Sequence, residues 1–327
     1  MSFSGTDWAD STIIESEELN QFFYELMSDE DRNLVLHSYS VKITESGFNY
    51  DELVSYLGDT FSDYVFPSEK KQELRDNDKD PGVRALQKAG FTKQYQQDGN
   101  LGEFLLFLLT EGYFDMPMIS HKIIRKQNYQ NEVYGSDNLF FGEFKDREHI
   151  GVGEAKVYGR LKQGIKNAVD SITDFHDENS ERYMDQELSL APKNISQNLE
   201  PEQIDYLADV MSEDEYSEYP IMHPVFVCYE NEELKDVEDI TKSSEEIEDD
   251  IDEILKQEDY LSAVDEKVDK GHHRLNRAHL LFLFLPVADL DEFRKRALSS
   301  IVPGIMPAIE ATQESDDSES PQEEVES

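Results

Sequence analysis

The stretch Tyr134–Tyr158, YGSDNLFFGEFKDREHIGVGEAKVY, constrains the fold more than any other part of this chain. It predicts two strands: Leu139, Phe140 and Phe141 follow Asp137, Lys145-Asp146-Arg147-Glu148 supplies a polar turn, and Ile150 to Tyr158 returns. Side chains on a strand alternate between faces, so Glu154 and Lys156, two residues apart, point the same way. Paired as a hairpin, the strands set Asp137 near the start of the first beside Glu154 near the end of the second. Two carboxylates and an ammonium then meet at one place.

That grouping suits a divalent cation and a water poised to attack a phosphodiester. Magnesium (or manganese) prefers oxygen ligands, and magnesium keeps several waters, so one or two carboxylates hold it beside a phosphate. Asp137 and Glu154 are the expected ligands, with the backbone carbonyl of Ala155 a third. Lys156 would stabilise developing charge and orient or deprotonate the nucleophile. Burial lowers its pKa and the carboxylates raise it, so the sign stays open. Spacing alone is weak support, because E-x-K also occurs at Glu69/Lys71, Glu143/Lys145 and Glu233/Lys235. The plain alternative for any one triplet is a solvated ion pair. Only Glu154 combines an apolar strand with an Asp on the strand before it.

The flanking segments sharpen this reading. Asp-turn-Glu-x-Lys on a hairpin resembles the PD-(D/E)xK nuclease superfamily. The series Gly102-Glu103, Ser120-His121-Lys122, Gly135-Ser136-Asp137 and Gly153-Glu154-Ala155-Lys156 resembles the HamA family, the nuclease component of the Hachiman antiphage defence system. The similarity is dense over 99–172 and loose elsewhere within 30–300. It implies a DNA endonuclease held in check by a partner helicase (HamB-like) and released when invading or damaged DNA is sensed. It also implies that Glu103 is a third carboxylate lining the metal site; the plain alternative is a carboxylate at a helix N-terminus.

The formal net charge of −43 pulls against a DNA-binding role, since nucleic-acid binders carry a basic footprint. The charge is uneven: residues 1–100 hold 20 acidic and 9 basic groups, 101–200 hold 17 and 11, and 201–327 hold 36 and 10. The proposed core is the least acidic third. Salt adaptation is the favoured explanation, because at molar salt the Debye length is about 3 Å and repulsion fades. The competing one has acidic segments covering the DNA groove until a partner removes them. Within the core, Lys122, Arg125 and Lys126 precede the hairpin, and Arg160, Lys162 and Lys166 follow it on a predicted helix over 159–175; these are the candidate phosphate contacts.

The remaining pattern predicts an α/β protein: a restriction-endonuclease-like core with a central mixed sheet flanked by helices, plus a small N-terminal α/β subdomain. The expected divisions are 1–80 for the subdomain with an acidic lead, 81–305 for the core with acidic helical insertions, and 306–327 for a disordered acidic tail. A helix is predicted over 15–27, an edge strand over 33–43, a helix over 51–65, a charged linker over 70–81, an apolar helix over 99–113, strands over 221–229 and 279–287, and a closing helix over 290–298. The charge run 230–270 predicts a long exposed helix. Cys228, the one cysteine, excludes internal disulfides, and no apolar run would span a bilayer, so a cytoplasmic protein is expected. His272, His273 and His279 lack a carboxylate or cysteine at ligand spacing and are set aside. No Walker-type loop is present, which assigns any ATP-driven step to a partner. A catalytically silent regulatory or DNA-mimicking module with the same fold is the alternative; a stand-alone restriction-type enzyme is a third.

Overall fold

A computed structural model of the chain describes residues 8–44, 47–89, 98–121, 137–176, 199–211, 219–237, 242–268, 275 and 278–302. The strands are β1 (Phe23–Asp31), β2 (Leu34–Val41), β3 (Ile43–Thr44), β4 (Gly47–Phe48), β5 (Met118–His121), β6 (Asn138–Phe144), β7 (Arg147–Tyr158), β8 (Ile221–Glu230) and β9 (His279–Val287). Seven of them form one sheet in the order β1-β2-β9-β8-β7-β6-β5, and β3 pairs with β4. The sheet is mixed: β2, β9, β8 and β7 run parallel, with antiparallel β1 on one flank and β6 and β5 on the other. The unbroken apolar runs of β8 and β9 fit strands covered on both faces, and their interior residues are buried throughout.

Helices cover both sides. On one face lie α2 (Tyr50–Val65), α5 (Asp98–Phe114) and α10 (Leu290–Ile301), following α1 (Ser16–Leu19), α3 (Ser68–Asp76) and α4 (Pro81–Ala89) in the chain. The run Leu101 and Phe104–Leu109 of α5 is buried all round, as expected of a helix enclosed on every side. On the other face α6 (Leu161–Phe175) lays Leu161, Ile165, Val169 and Ile172 on Val225 and Val227. A Cβ on Gly164 would lie 2.6 Å from Val227 Cγ1, so glycine is what lets α6 approach β8. Next come α7 (Pro201–Val210), α8 (Ser244–Leu255) and α9 (Tyr260–Val268).

Several expectations need correcting. The predicted helix over 15–27 is one turn, α1, after which Phe23 enters β1; aromatic residues favour the pleated surface there. The supposed edge strand is interior, paired with β1 and β9. Its serines Ser38 and Ser40 are buried, with Ser38 Oγ donating to Tyr260 Oη at 3.3 Å. The charged linker contains α3, whose Leu74 is buried. The acidic run 230–270 is no single exposed helix: α8 and α9 bury Ile247, Ile251, Leu255, Tyr260, Val264 and Val268. Strands β1 and β2 belong to the main sheet, and residues such as Leu53, Phe61, Phe104 and Leu283 share one core. The tail from 306 lies outside the described residues.

Candidate active site

The hairpin forms, with a tighter turn than expected. Lys145 and Asp146 take φ of 52° and 59°, the paired left-handed conformation of a two-residue hairpin loop, and Arg147 and Glu148 already belong to β7. Asn138 pairs with Gly153, and the Asp137 N–H donates to the Gly153 carbonyl at 3.1 Å. Asp137 therefore stands where β6 begins, opposite Glu154. Its Oδ2 accepts from the Ala155 N–H at 2.9 Å. A strand residue directs its N–H and C=O to the same edge, so the Ala155 carbonyl leaves β7 on the side of Asp137. Glu154 Oε1 accepts from Lys156 Nζ, and the carboxylate takes a further bond from Ser171 of α6.

These side chains are largely enclosed: Asp137 is 8% exposed, and the Glu154 and Lys156 side chains 16% and 19%. Burial and then the Asp137 carboxylate push the Glu154 carboxyl up to about 7, against the opposing pull of Lys156 and Ser171. For Lys156, burial works against the charged form, but Glu154 and Asp137 outweigh it and the ammonium is held above its ordinary value. The sign left open by the sequence is thus upward. Two crowded carboxylates, one of them resisting ionisation, fit an oxygen-seeking divalent cation, which would relieve both the repulsion and the desolvation.

A model of the HamA family matches residues 15–301, a span that holds all seven strands of the main sheet and the whole hairpin. The chain belongs to the HamA family. Membership supports a role as a component of Hachiman antiphage defence. No curated protein matches the chain. Among the described residues no helix is long and apolar enough to cross a membrane.

Glu103, the remaining acidic residue of the HamA-like series, lies on α5 across the opposite face of the sheet and is 3% exposed. Its carbonyl accepts from Asn138 Nδ2 at 2.8 Å, so it buttresses the residue next to Asp137. It is not among the groups that dominate the Glu154 carboxyl, and among the described residues no three His, Cys, Asp or Glu side chains converge on a cation position. Arg160 and Lys162 are exposed just beyond β7, while Lys166 pairs with Asp170. Lys122, Arg125 and Lys126 lie outside the described residues.

Two contributors escaped the sequence reading. Ser171 is one polar residue beside the apolar row of α6, and nothing in its spacing marks it. Asn138 had a signal, a polar residue opening an apolar strand; its Oδ1 accepts from Tyr64 Oη at 3.1 Å while Nδ2 holds α5.

Proposed function

We propose that this protein is a metal-dependent DNA endonuclease, the effector of a two-component Hachiman system, restrained and released by a helicase subunit. The observation that carries the reading is the meeting of Asp137, Glu154 and Lys156 at the open end of the β6–β7 pair. Asp137, Glu154 and the Ala155 carbonyl would hold Mg2+ or Mn2+. Such a cation, when bound, supplies an acidified water and offsets charge on the phosphoryl oxygens.

The chain's own groups do the rest. The Ala155 N–H fixes the Asp137 carboxylate, and Ser171 and Lys156 fix that of Glu154, so both are oriented before substrate arrives. Lys156, kept protonated by the carboxylates, acts as a positioned charge toward the phosphoryl oxygens. Arg160 and Lys162, exposed just beyond β7, would contact phosphates without reading bases. The absence of a Walker loop in the sequence assigns ATP-driven sensing to the helicase.

The test is cleavage of plasmid DNA with Mg2+, with and without the helicase subunit. Glu154→Ala and Lys156→Ala should each lose at least about a hundredfold in rate while keeping the wild-type circular dichroism spectrum. Variants that cut as well as wild type would end the proposal. A wild-type protein that never cuts, even with helicase and DNA present, would leave the silent regulatory module as the better reading.

A further inference from the structure

A second site, independent of the proposed phosphodiester chemistry, lies at the far end of α5 from Glu103. A cavity of about 270 Å3 opens between the end of α5, the loop after α1 and strands β1 and β2, lined by Asn20, Glu25, His37, Tyr39, Tyr113 and Phe114. Tyr39 and Tyr113 stack with centroids 4.8 Å apart and planes within 5°. Phe114 meets His37 edge to face at 5.0 Å. The arrangement is braced: His37 Nδ1 bonds to Glu25 Oε1, and Tyr113 Oη donates to Asn20 Oδ1 at 3.2 Å. Burial, and then the nearby Glu25 carboxylate, push both phenols above their ordinary range.

Three independent features favour a cation here. Glu25 supplies a carboxylate at the rim, its side chain 46% exposed. The aromatic rings offer π faces. The carbonyl end of the 17-residue helix α5 carries partial negative charge, and its last turn holds no basic residue to offset it. Size narrows the occupant further. Small-molecule sites run to about 300–1,000 Å3, so this cavity suits one side chain rather than a cofactor. A guanidinium is planar, stacks on tyrosine and bonds carboxylates in its own plane, and arginine is among the residues that anchor interfaces by filling such pockets. The net charge of −43 selects basic protein surfaces at long range.

We propose that this cavity is a docking pocket for an arginine side chain of a partner protein. The probe is N-acetyl-arginine amide, titrated into the full chain and followed by NMR or calorimetry, with the uncharged N-acetyl-citrulline amide in parallel. Saturable binding of the arginine probe, with at least tenfold weaker binding of citrulline, is the expected result. Glu25→Gln and Tyr113→Leu should each weaken the arginine probe about tenfold. Glu25 is at the surface, so its variant should melt like wild type and keeps the test valid even where Tyr113→Leu perturbs the fold. Equal binding of both probes, undiminished binding by Glu25→Gln, or no saturable binding to wild type would overturn the proposal. So would tighter binding of guanosine monophosphate, which would make the pocket a base-stacking site.

Discussion

Replacing Glu154 by glutamine should make the metal-free protein more stable at alkaline pH, although it removes a residue of the proposed active centre. The carboxyl is raised from 4.5 to about 7 in the folded chain, first by burial and then by Asp137. A raised acid contributes stability that is complete below its unfolded value and is lost as pH climbs through the folded one. Ionising Glu154 thus costs about 3 kcal/mol across that window, at about 1.4 kcal/mol per tenfold change. That cost is already net of the favourable bond from Lys156, which opposes the rise, and glutamine, an uncharged isostere, escapes it. The gain is about 3 kcal/mol at pH 8 and shrinks toward pH 5, equivalent at pH 8 to about 6–12 °C in melting temperature for a domain of this class. Thermal melts of wild type and Glu154→Gln in EDTA, from pH 5 to 8, measure the difference. A gap that does not widen toward pH 8 refutes the electrostatic account. In a second arm, Mg2+ at pH 8 should raise the melting temperature of wild type, as any ligand of the folded state does, and leave that of the variant unchanged.

Two further outcomes follow from buried polar groups. Glu111 accepts from the N–H groups of Ile13 and Met118 at 3.0 and 2.8 Å, yet burial pushes its carboxyl to about 8; stability should therefore fall as pH rises toward 8, and urea midpoints of Glu111→Gln should show a shallower fall. Asn138→Ala removes the acceptor of the buried Tyr64 hydroxyl and the side-chain donor to the Glu103 carbonyl, which helix α5 engages in any case, and should cost about 1–3 kcal/mol, with Tyr64→Phe costing less; equal urea midpoints for Asn138→Ala and wild type would show that the bridge contributes nothing.

The meeting of Asp137, Glu154 and Lys156 was legible because it depends on parity more than on register. The expected four-residue turn would have paired Phe144 with His149 and set Asp137 across from Lys156. The real two-residue turn pairs Phe144 with Arg147 and sets Asp137 across from Glu154. The two registers differ by two residues, which preserves the face of every side chain, so the same three groups meet either way. Strands β8 and β9 and helix α6 were legible for a similar reason: long apolar runs and a clean 3.6-residue row leave little choice. Local pattern failed where tertiary contacts decide. The strand over 33–43 read as an edge because Tyr260, more than 200 residues from its partner Ser38, was out of view. Glu103 sits in a helix so apolar that its sequence says it is enclosed but not toward which side of the sheet it turns.

The distribution of acidic charge bears on the proposed encounter with DNA. Helix α8 carries Glu245, Glu246, Glu248, Asp249, Asp250, Asp252 and Glu253, yet it packs through Ile247, Ile251 and Leu255 near β3, and Glu248 and Asp252 act on Tyr24 of β1. In the sheet β1 is separated from β7 by β2, β9 and β8, about 19 Å at about 4.8 Å per strand. This helix therefore does not cover the Asp137–Glu154 pair, and the idea of an acidic segment lying over the catalytic groups gains nothing from it. The same edge strand supplies Glu25 to the aromatic cavity. One border of the sheet thus gathers negative charge and a cation-favouring pocket, while the other carries the proposed chemistry flanked by Arg160 and Lys162. A basic partner seated on the β1 border would neutralise the long-range field that repels a phosphate backbone without approaching the groups that would act on it.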